Sequence, residues 1–297
     1  MTFNVNFQCP EPAPVINIGK TLIGVDLGGT KLHVARTHAN QVITQSRQDY
    51  DALAAADTVL ATLINAIEAQ LTPEVEGIGV GVPSIVNPDL GIVYETANIP
   101  SWREIPLKAE LERHFGLPVR VNNDVNCFAL GEYHCGEWQG CRNLVGMSLG
   151  TGLGVGLILN GQLYTGHACG AGELGELPYE DGILENYCSG QFFKRLHGQD
   201  GSETFTLASR GNTEALAQFS EFGTHLAQAL WTILLAYNPE VVVIGGSIAR
   251  AFPYFSQALQ SAMQEFPYQT LWHTTHIGVS KNPSAAVLGA AALFHHR

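Results

Sequence analysis

Residues 21–36 read TLIGVDLGGTKLHVAR. One strand-like apolar run enters a Gly-Gly-Thr turn and another leaves it, which predicts a strand, a tight glycine turn and a returning strand. Residues 143–164, NLVGMSLGTGLGVGLILNGQLY, repeat that layout. Gly28, Gly29 and Thr30 make the first turn, and Gly150, Thr151 and Gly152 the second. Such self-similarity predicts an α/β chain of two related lobes, each opening with a hairpin whose turn faces a cleft. A third glycine turn, Gly245 and Gly246, ends the apolar run PEVVVIGGS at 239–247.

The rest of the chain alternates around these turns. KLHVARTHA and QVITQSR continue as two antiparallel strands, 51–71 has helical periodicity, and 76–86 is a strand ending at Pro83. A hairpin-like region runs to Ser101, a helix covers IPLKAELERHFG with Gly116 and Pro118 as its stop, and PVRVNND is a short buried strand. Further helices are expected over 211–238, from Ala251 and from Ser284. The predicted division is an extended tail of 1–20, a smaller α/β lobe of 21–121 joined by a helix at 284–297, and a larger α/β lobe of 122–283.

Composition narrows the function classes. Of 297 residues, 45% are apolar and only 14% charged, which suits a well-packed globular protein and argues against disorder. A net charge of -12 repels nucleic acid and anionic membranes, and the Lys and Arg residues are too scattered to make a basic patch. With no signal-peptide pattern and no apolar run of membrane-spanning length, the expected location is cytoplasmic. Cys9, Cys127, Cys135, Cys141, Cys169 and Cys188 are too dispersed for a disulfide framework or zinc knuckle and read as free, mostly buried thiols.

A glycine turn between strands exposes backbone N–H groups that can wrap nucleotide phosphates, although strand geometry alone also asks for glycine there. Three such turns point to ATP, and the absence of GxxxxGK[ST] excludes a P-loop protein. Asp26, just before the first turn, can hold a hydrated magnesium ion beside phosphates or simply form the turn. Lys31 can neutralise phosphate or remain solvated. In VRVNNDVNCFALGE (119–132) a buried strand ends in Asn122, Asn123 and Asp124 and a helix begins. Asp124 is either an ordinary N-cap or a base that takes a hydroxyl proton during attack on a γ-phosphate.

One stretch raises its own question. AGELGELPYEDGILENYCSG (171–190) carries Glu173, Glu176, Glu180, Asp181 and Glu185 without a Lys or Arg. It is a solvated acidic loop or a set of acceptors for something covered in hydroxyl groups.

DLGGTK, NNDVN, SLGTGLGVGLILNG, GELGE, LENYCSG and NPEVVVIGGS, in that order, resemble the sugar kinases of the ROK family, within the actin-like ATPase superfamily. The resemblance runs from about Thr21 onward. It implies a two-lobed actin-like ATPase (ribonuclease H-like) fold with mixed sheets and an interlobe cleft, closing over ATP and a sugar. It also implies transfer of the γ-phosphate of MgATP to a hexose hydroxyl, usually that on carbon 6, with glucose the default substrate and N-acetylhexosamines and other hexoses behind it. On this resemblance Asp124 matches the catalytic base and Asn123 a sugar ligand, and Glu173 and Glu185 match two further sugar ligands. With Asn98 and Glu176 they complete the expected sugar set. Gly28, Gly29, Thr30, Gly150, Thr151 and Gly152 match the two phosphate loops, with Asp26 and Lys31 beside the first. Gly245 and Gly246 match the turn near the nucleotide's α-phosphate and base. Dense acceptors suit an uncharged sugar, because each buried hydroxyl left unpaired is costly.

The sequence departs from the family pattern twice. Glu176 stands where the family has His, and the usual C-x-C-G-x-x-G-C segment is absent, the chain passing from LPYEDG to ILENYCSG. In typical members that His and three of those Cys bind a structural zinc, so none is expected here. The rival function is a sugar-binding regulatory protein or pseudokinase. The family's repressors carry a helix-turn-helix domain ahead of the kinase-like part, for which the roughly twenty unpatterned residues at the start are expected to leave no room. Sugar and ATP are the expected partners, with neither nucleic acid nor membrane and with a homodimer as the family's assembly.

Overall fold

The computed structural model describes residues 19–96 and 98–295. Cys9, most of the expected tail and the last two residues of the expected C-terminal helix lie outside that range. The contacts divide the described chain into two compact units. The first gathers 19–141, Gly156–Ala171 and 281–295, and the second Arg142–Val155 and Gly172–Ser280. The predicted division at 121/122 falls inside the first unit, because the helix after Asn123 packs there.

In chain order the first unit begins with strands β1 (Thr21–Leu27), β2 (Lys31–His38), β3 (Gln41–Asp49), β4 (Val75–Val82), β5 (Ser84–Asn87), β6 (Ile92–Thr96), β7 (Arg103–Ile105) and β8 (Val119–Asn123). Its helices are α1 (Ala56–Glu68), α2 (Leu107–Phe115) and α3 (Asp124–Cys135). The main sheet has the order β3-β2-β1-β4-β8, with β1 antiparallel to β2 and parallel to β4. The hairpin-like region is a separate three-stranded sheet, β5-β6-β7. Helix α1 starts later than its periodicity suggests. Asp51 accepts the N–H of Leu53 at 3.0 Å, a local turn that competes with helix over 51–55. Helix α2 ends at Gly116, whose φ of 65° is the left-handed stop its sequence predicts.

The remaining elements are β9 (Leu144–Leu149), β10 (Leu153–Leu159), β11 (Gln162–Leu163), β12 (Pro178–Tyr179), β13 (Gly182–Ile183), β14 (Val241–Gly245) and β15 (His276–Val279). With them run α4 (Leu184–Cys188), α5 (Gly190–His197), α6 (Gly201–Ser209), α7 (Thr213–Tyr237), α8 (Phe252–Met263), α9 (Gln269–Thr274) and α10 (Ala285–Ala292). The second large sheet has the order β11-β10-β9-β14-β15, the same five-strand pattern as the first. The repeat read from the two glycine turns therefore extends to whole sheets. Each pairs a hairpin with two parallel strands in an α/β, actin-like arrangement.

Helix α10, AAVLGAAA, is apolar throughout because all of it except the half-buried Ala286 is buried. A Cβ on Gly24 of β1 would lie 1.9 Å from the carbonyl oxygen of Val287, and one on Gly79 of β4 would lie 1.8 Å from that of Ala290. On the opposite side, a Cβ on Gly289 would lie 1.6 Å from the carbonyl oxygen of Cys127 in α3. Glycines thus let sheet, α10 and α3 approach backbone to backbone, which fixes where α3 begins.

Candidate active site

Three strand ends bring the expected residues of the first unit together. Asp26 of β1 pairs in register with Gly81 of β4, and Gly81 with Asn122 of β8. A Cβ on Gly81 would lie 3.3 Å from Asp124 Cα and 3.2 Å from the Sγ of Cys127. Burial, and then the negative charges of Asp124 and Asp26, push the Cys127 thiol well above its ordinary range. Both carboxylates therefore lie within electrostatic reach of one buried sulfur. The turn after Asp26 is closed by Gly28, whose N–H donates to the Lys31 carbonyl at 2.9 Å, while the Tyr50 hydroxyl donates to the Gly28 carbonyl at 2.6 Å. A Cβ on Gly29 would lie 2.8 Å from that of Asn98, so Asn98 sits against the turn. Thr30 and Lys31 are exposed.

The cap of α3 is Asn123, not Asp124. Asn123 Oδ1 accepts the N–H groups of Val125 at 2.8 Å and Asn126 at 3.2 Å, and its Nδ2 donates to the Ser84 carbonyl at 3.3 Å. Asp124 is consequently the first helical residue, with its Oδ1 accepting from Val125 N–H at 2.9 Å. Beneath it, the buried Asn122 Oδ1 accepts from Asn123 N–H at 2.8 Å and Asn126 Nδ2 at 2.9 Å, and from the Cys169 thiol at 3.3 Å.

In the second unit the turn at Gly150–Gly152 is held from several sides. Gly150 N–H donates to the Gly152 carbonyl at 3.0 Å, and the Gly150 carbonyl accepts the N–H of Gly190, first residue of α5, at 2.8 Å. Glu185 accepts the N–H of Leu153 at 2.9 Å through Oε2 and the Gln191 side-chain amide at 2.6 Å through Oε1. Glu173 caps the 3₁₀ turn Leu174–Glu176, and Glu176 is its last residue. The Glu173 carboxyl is held above its ordinary range, first by loss of water around it and then by the charges of Glu176 and Glu185. Gly245 ends β14, and Gly246 turns the chain with φ 81°.

A cavity of about 170 Å³ opens beside this turn. Gly150 and Thr151 form one wall, Gln191 and Lys194 of α5 another, and Ser202, Phe205 and Arg250 the rest. The Arg250 guanidinium lies 4.4 Å from the centre of the Phe205 ring, a stacked cation beside an aromatic face. Only Gly150 and Thr151 of this wall were legible beforehand. The others come from separate helices with no motif to announce them, and the signal available was the run of helix starts at Gly190 and Gly201.

The sequence pattern of the ROK family matches residues 22–297. This chain belongs to the ROK family. Its relatives by name include both sugar kinases and a putative xylose repressor. It is 31% identical to the N-acetyl-D-glucosamine kinase of Haemophilus influenzae (strain 86-028NP), over 91% of this chain and 98% of that protein. It is 30% identical to the glucokinase of Halalkalibacterium halodurans, over 77% of this chain and 81% of that one. The ROK family glucokinase of Streptomyces griseus, solved with glucose and AMPPNP, superposes with a TM-score of 0.79 at 24% identity, covering 92% of this chain and 98% of that one. A ROK family transcriptional regulator, a homologue of the Escherichia coli Mlc protein, superposes at 0.82 with 25% identity, covering 93% of this chain and 78% of that one.

The variant stretch of this ROK chain is not a bare acidic loop. Asp181 accepts hydrogen bonds from the Tyr187 hydroxyl and from Arg195 Nη2 at 2.8 Å, so α5 supplies the counter-charge missing from 171–190. Tyr179 and His225 are hydrogen-bonded through Oη and Nδ1 at 2.9 Å. Among the described residues no group of three or more His, Cys, Asp or Glu is placed to hold a metal ion. The donor chemistry at Asp26 does suit a single hydrated magnesium. Burial raises its carboxyl to about 6, with Arg47 only partly offsetting this, and a hard divalent cation would compensate such a charge.

Proposed function

We propose that this protein is an ATP-dependent hexose kinase, moving the γ-phosphate of MgATP to a hexose hydroxyl, with the 6-hydroxyl of glucose or N-acetylglucosamine the first acceptors to test. The observation that carries the reading is Asp124 at the junction of β8 and α3, fixed by the Asn123 cap and the Asn122 amide. A carboxylate so fixed takes the proton of the attacking hydroxyl as its oxygen forms the new bond to phosphorus and the bond to ADP breaks. Asn98, Asn123, Glu173, Glu176 and Glu185 hold the other sugar hydroxyls.

The turns at Gly28–Thr30 and Gly150–Gly152, each closed by its own hydrogen bond, cradle phosphate oxygens, and Lys31 adds positive charge. Gly245 and Gly246 lead into the wall where Arg250 and Phe205 present a flat, positively charged face to a purine. Asp26 would hold a hydrated magnesium ion, which would supply charge neutralisation to the phosphates. No structural zinc is part of this reading.

A coupled ADP-release assay with MgATP across hexoses and N-acetylhexosamines tests it. Turnover of at least one sugar supports the kinase, and ADP release indifferent to every sugar would remove it. The backbone match to a transcriptional regulator favours a second reading, a sugar-responsive regulatory protein or pseudokinase. That reading predicts sugar binding with no turnover.

A further inference from the structure

We infer that Glu185 is a positioning residue for the nucleotide as well as a sugar ligand, and that through Gln191 it couples occupancy of the sugar set to the affinity for ATP. This rests on the kinase reading and concerns the same site. Each carboxylate oxygen of Glu185 reaches a different part of the phosphate cradle. Oε2 accepts from the N–H of Leu153, the residue that leaves the Gly150–Gly152 turn, and Oε1 accepts from the side-chain amide of Gln191, which lines the cavity with Gly150 and Thr151.

The main chain repeats the linkage. The Ser189 hydroxyl donates to the Glu185 carbonyl at 2.8 Å and accepts the N–H of Gln191 at 3.1 Å, and Gly190 N–H holds the Gly150 carbonyl. The fit is close on the other side too. A Cβ on Gly152 would lie 2.4 Å from Glu185 Oε2, and one on Gly175, in the Glu173–Glu176 turn, would lie 3.4 Å from Glu185 Cβ. The acceptor residues and the phosphate turn thus share one carboxylate. A sugar hydroxyl that donates to Glu185 draws on the oxygens that orient Leu153 N–H and Gln191, so the turn and the cavity wall settle together. Sequence alone gives Glu185 an acceptor's role and Gln191 none.

The experiment measures AMPPNP affinity by calorimetry, with and without saturating glucose or N-acetylglucosamine, in the wild type, Glu185→Gln and Gln191→Leu. The wild type is expected to bind AMPPNP about tenfold more tightly with sugar present, within the usual range of coupling between sites. Glu185→Gln has one oxygen and one amide where two oxygens accepted. It faces a donor with a donor, and should lose about tenfold in AMPPNP affinity even without sugar. Gln191→Leu leaves the Leu153 contact and every expected sugar ligand in place, so it should still bind sugar while its sugar-dependent gain falls to near one. A wild type without sugar-dependent gain, or a Gln191→Leu protein that keeps the full gain, overturns the inference while leaving the kinase reading intact. A wild type that binds neither sugar nor AMPPNP overturns both.

Discussion

The side-chain amide of Asn126 donates to Asn122 Oδ1 at 2.9 Å, tying the last buried residue of β8 to the first turn of the helix that Asp124 begins. The same oxygen accepts Asn123 N–H and the Cys169 thiol. Removing it takes an acceptor away from three donors, one of them the buried Asn126 amide. Asn122→Ala should cost about 2–4 kcal/mol, since a buried polar group left unpaired costs about 1–3 kcal/mol. Urea unfolding at neutral pH measures this, and an unchanged midpoint would show the network to be ornamental.

Asp124→Asn keeps the shape of the helix start and removes the proton acceptor. Turnover should fall roughly 100- to 10,000-fold, the contribution usual for general-base catalysis, while sugar affinity stays within a few fold. Steady-state kinetics with direct sugar binding separates the two effects. Retention of both turnover and binding would relieve Asp124 of the role proposed for it.

The two kinds of glycine should part under mutation. No atom lies within 4 Å of a Cβ built on Gly150, so Gly150→Ala should leave stability within about 0.5 kcal/mol and weaken ATP binding. Gly246 has φ 81° and a Cβ there would lie 2.3 Å from the Leu149 carbonyl. Gly246→Ala should therefore cost more than about 2 kcal/mol. Thermal melts of the two variants, with ATP titrations on the folded one, check both halves.

Asp26 predicts a pH dependence of stability. Its carboxyl rises from an ordinary 3.8 to about 6, so the folded protein holds a proton that the unfolded chain has released between those values. The associated stability is complete below pH 3.8 and is lost as pH rises through about 6. Asp26→Asn should accordingly be more stable than the wild type at pH 7.5 by about 1–3 kcal/mol and equal to it near pH 4, measured in EDTA so that magnesium does not mask the charge. Equal stabilities at both pH values would contradict the burial argument.

The stretch 177–188 should hold its structure without metal. Its ties are the Tyr187 and Arg195 hydrogen bonds to Asp181 and the Tyr179–His225 contact, none of which needs an ion. Exhaustive treatment with a zinc-selective chelator should leave the melting temperature unchanged. A fall on chelation that zinc restores would reinstate a structural metal.

The repeated strand and turn units were legible in the sequence because a short apolar run and a glycine turn are local signals, and both five-strand sheets grow from them. Asp124 was placed at the right junction, but the sequence did not distinguish it from Asn123 as the cap. Either side chain can accept from the next turn, and only the packing of α3 on α10 decides which one stands in the capping position. Helices α4 to α6 escaped notice. They are short, begin at Leu184, Gly190 and Gly201, and owe their stability to packing around Phe192 and Phe193 more than to their own propensities. The walls formed by Gln191, Lys194, Phe205 and Arg250 went with them, since a cavity assembled from separate helices has no sequence period. The acidic stretch misled in another way, because its counter-charge, Arg195, sits one helix further along the chain.

Helix α10 also bears on how the protein is made. The strands it covers, β1 and β4, leave the ribosome long before it does, and until it arrives Gly24 and Gly79 line a bare apolar face. Contacts so distant along the chain slow folding and leave the nascent sheet open to the wrong partners. In a growing cell the first unit therefore waits until α10 has been translated, and a chaperone that shields that face in the interval would raise the yield of folded protein.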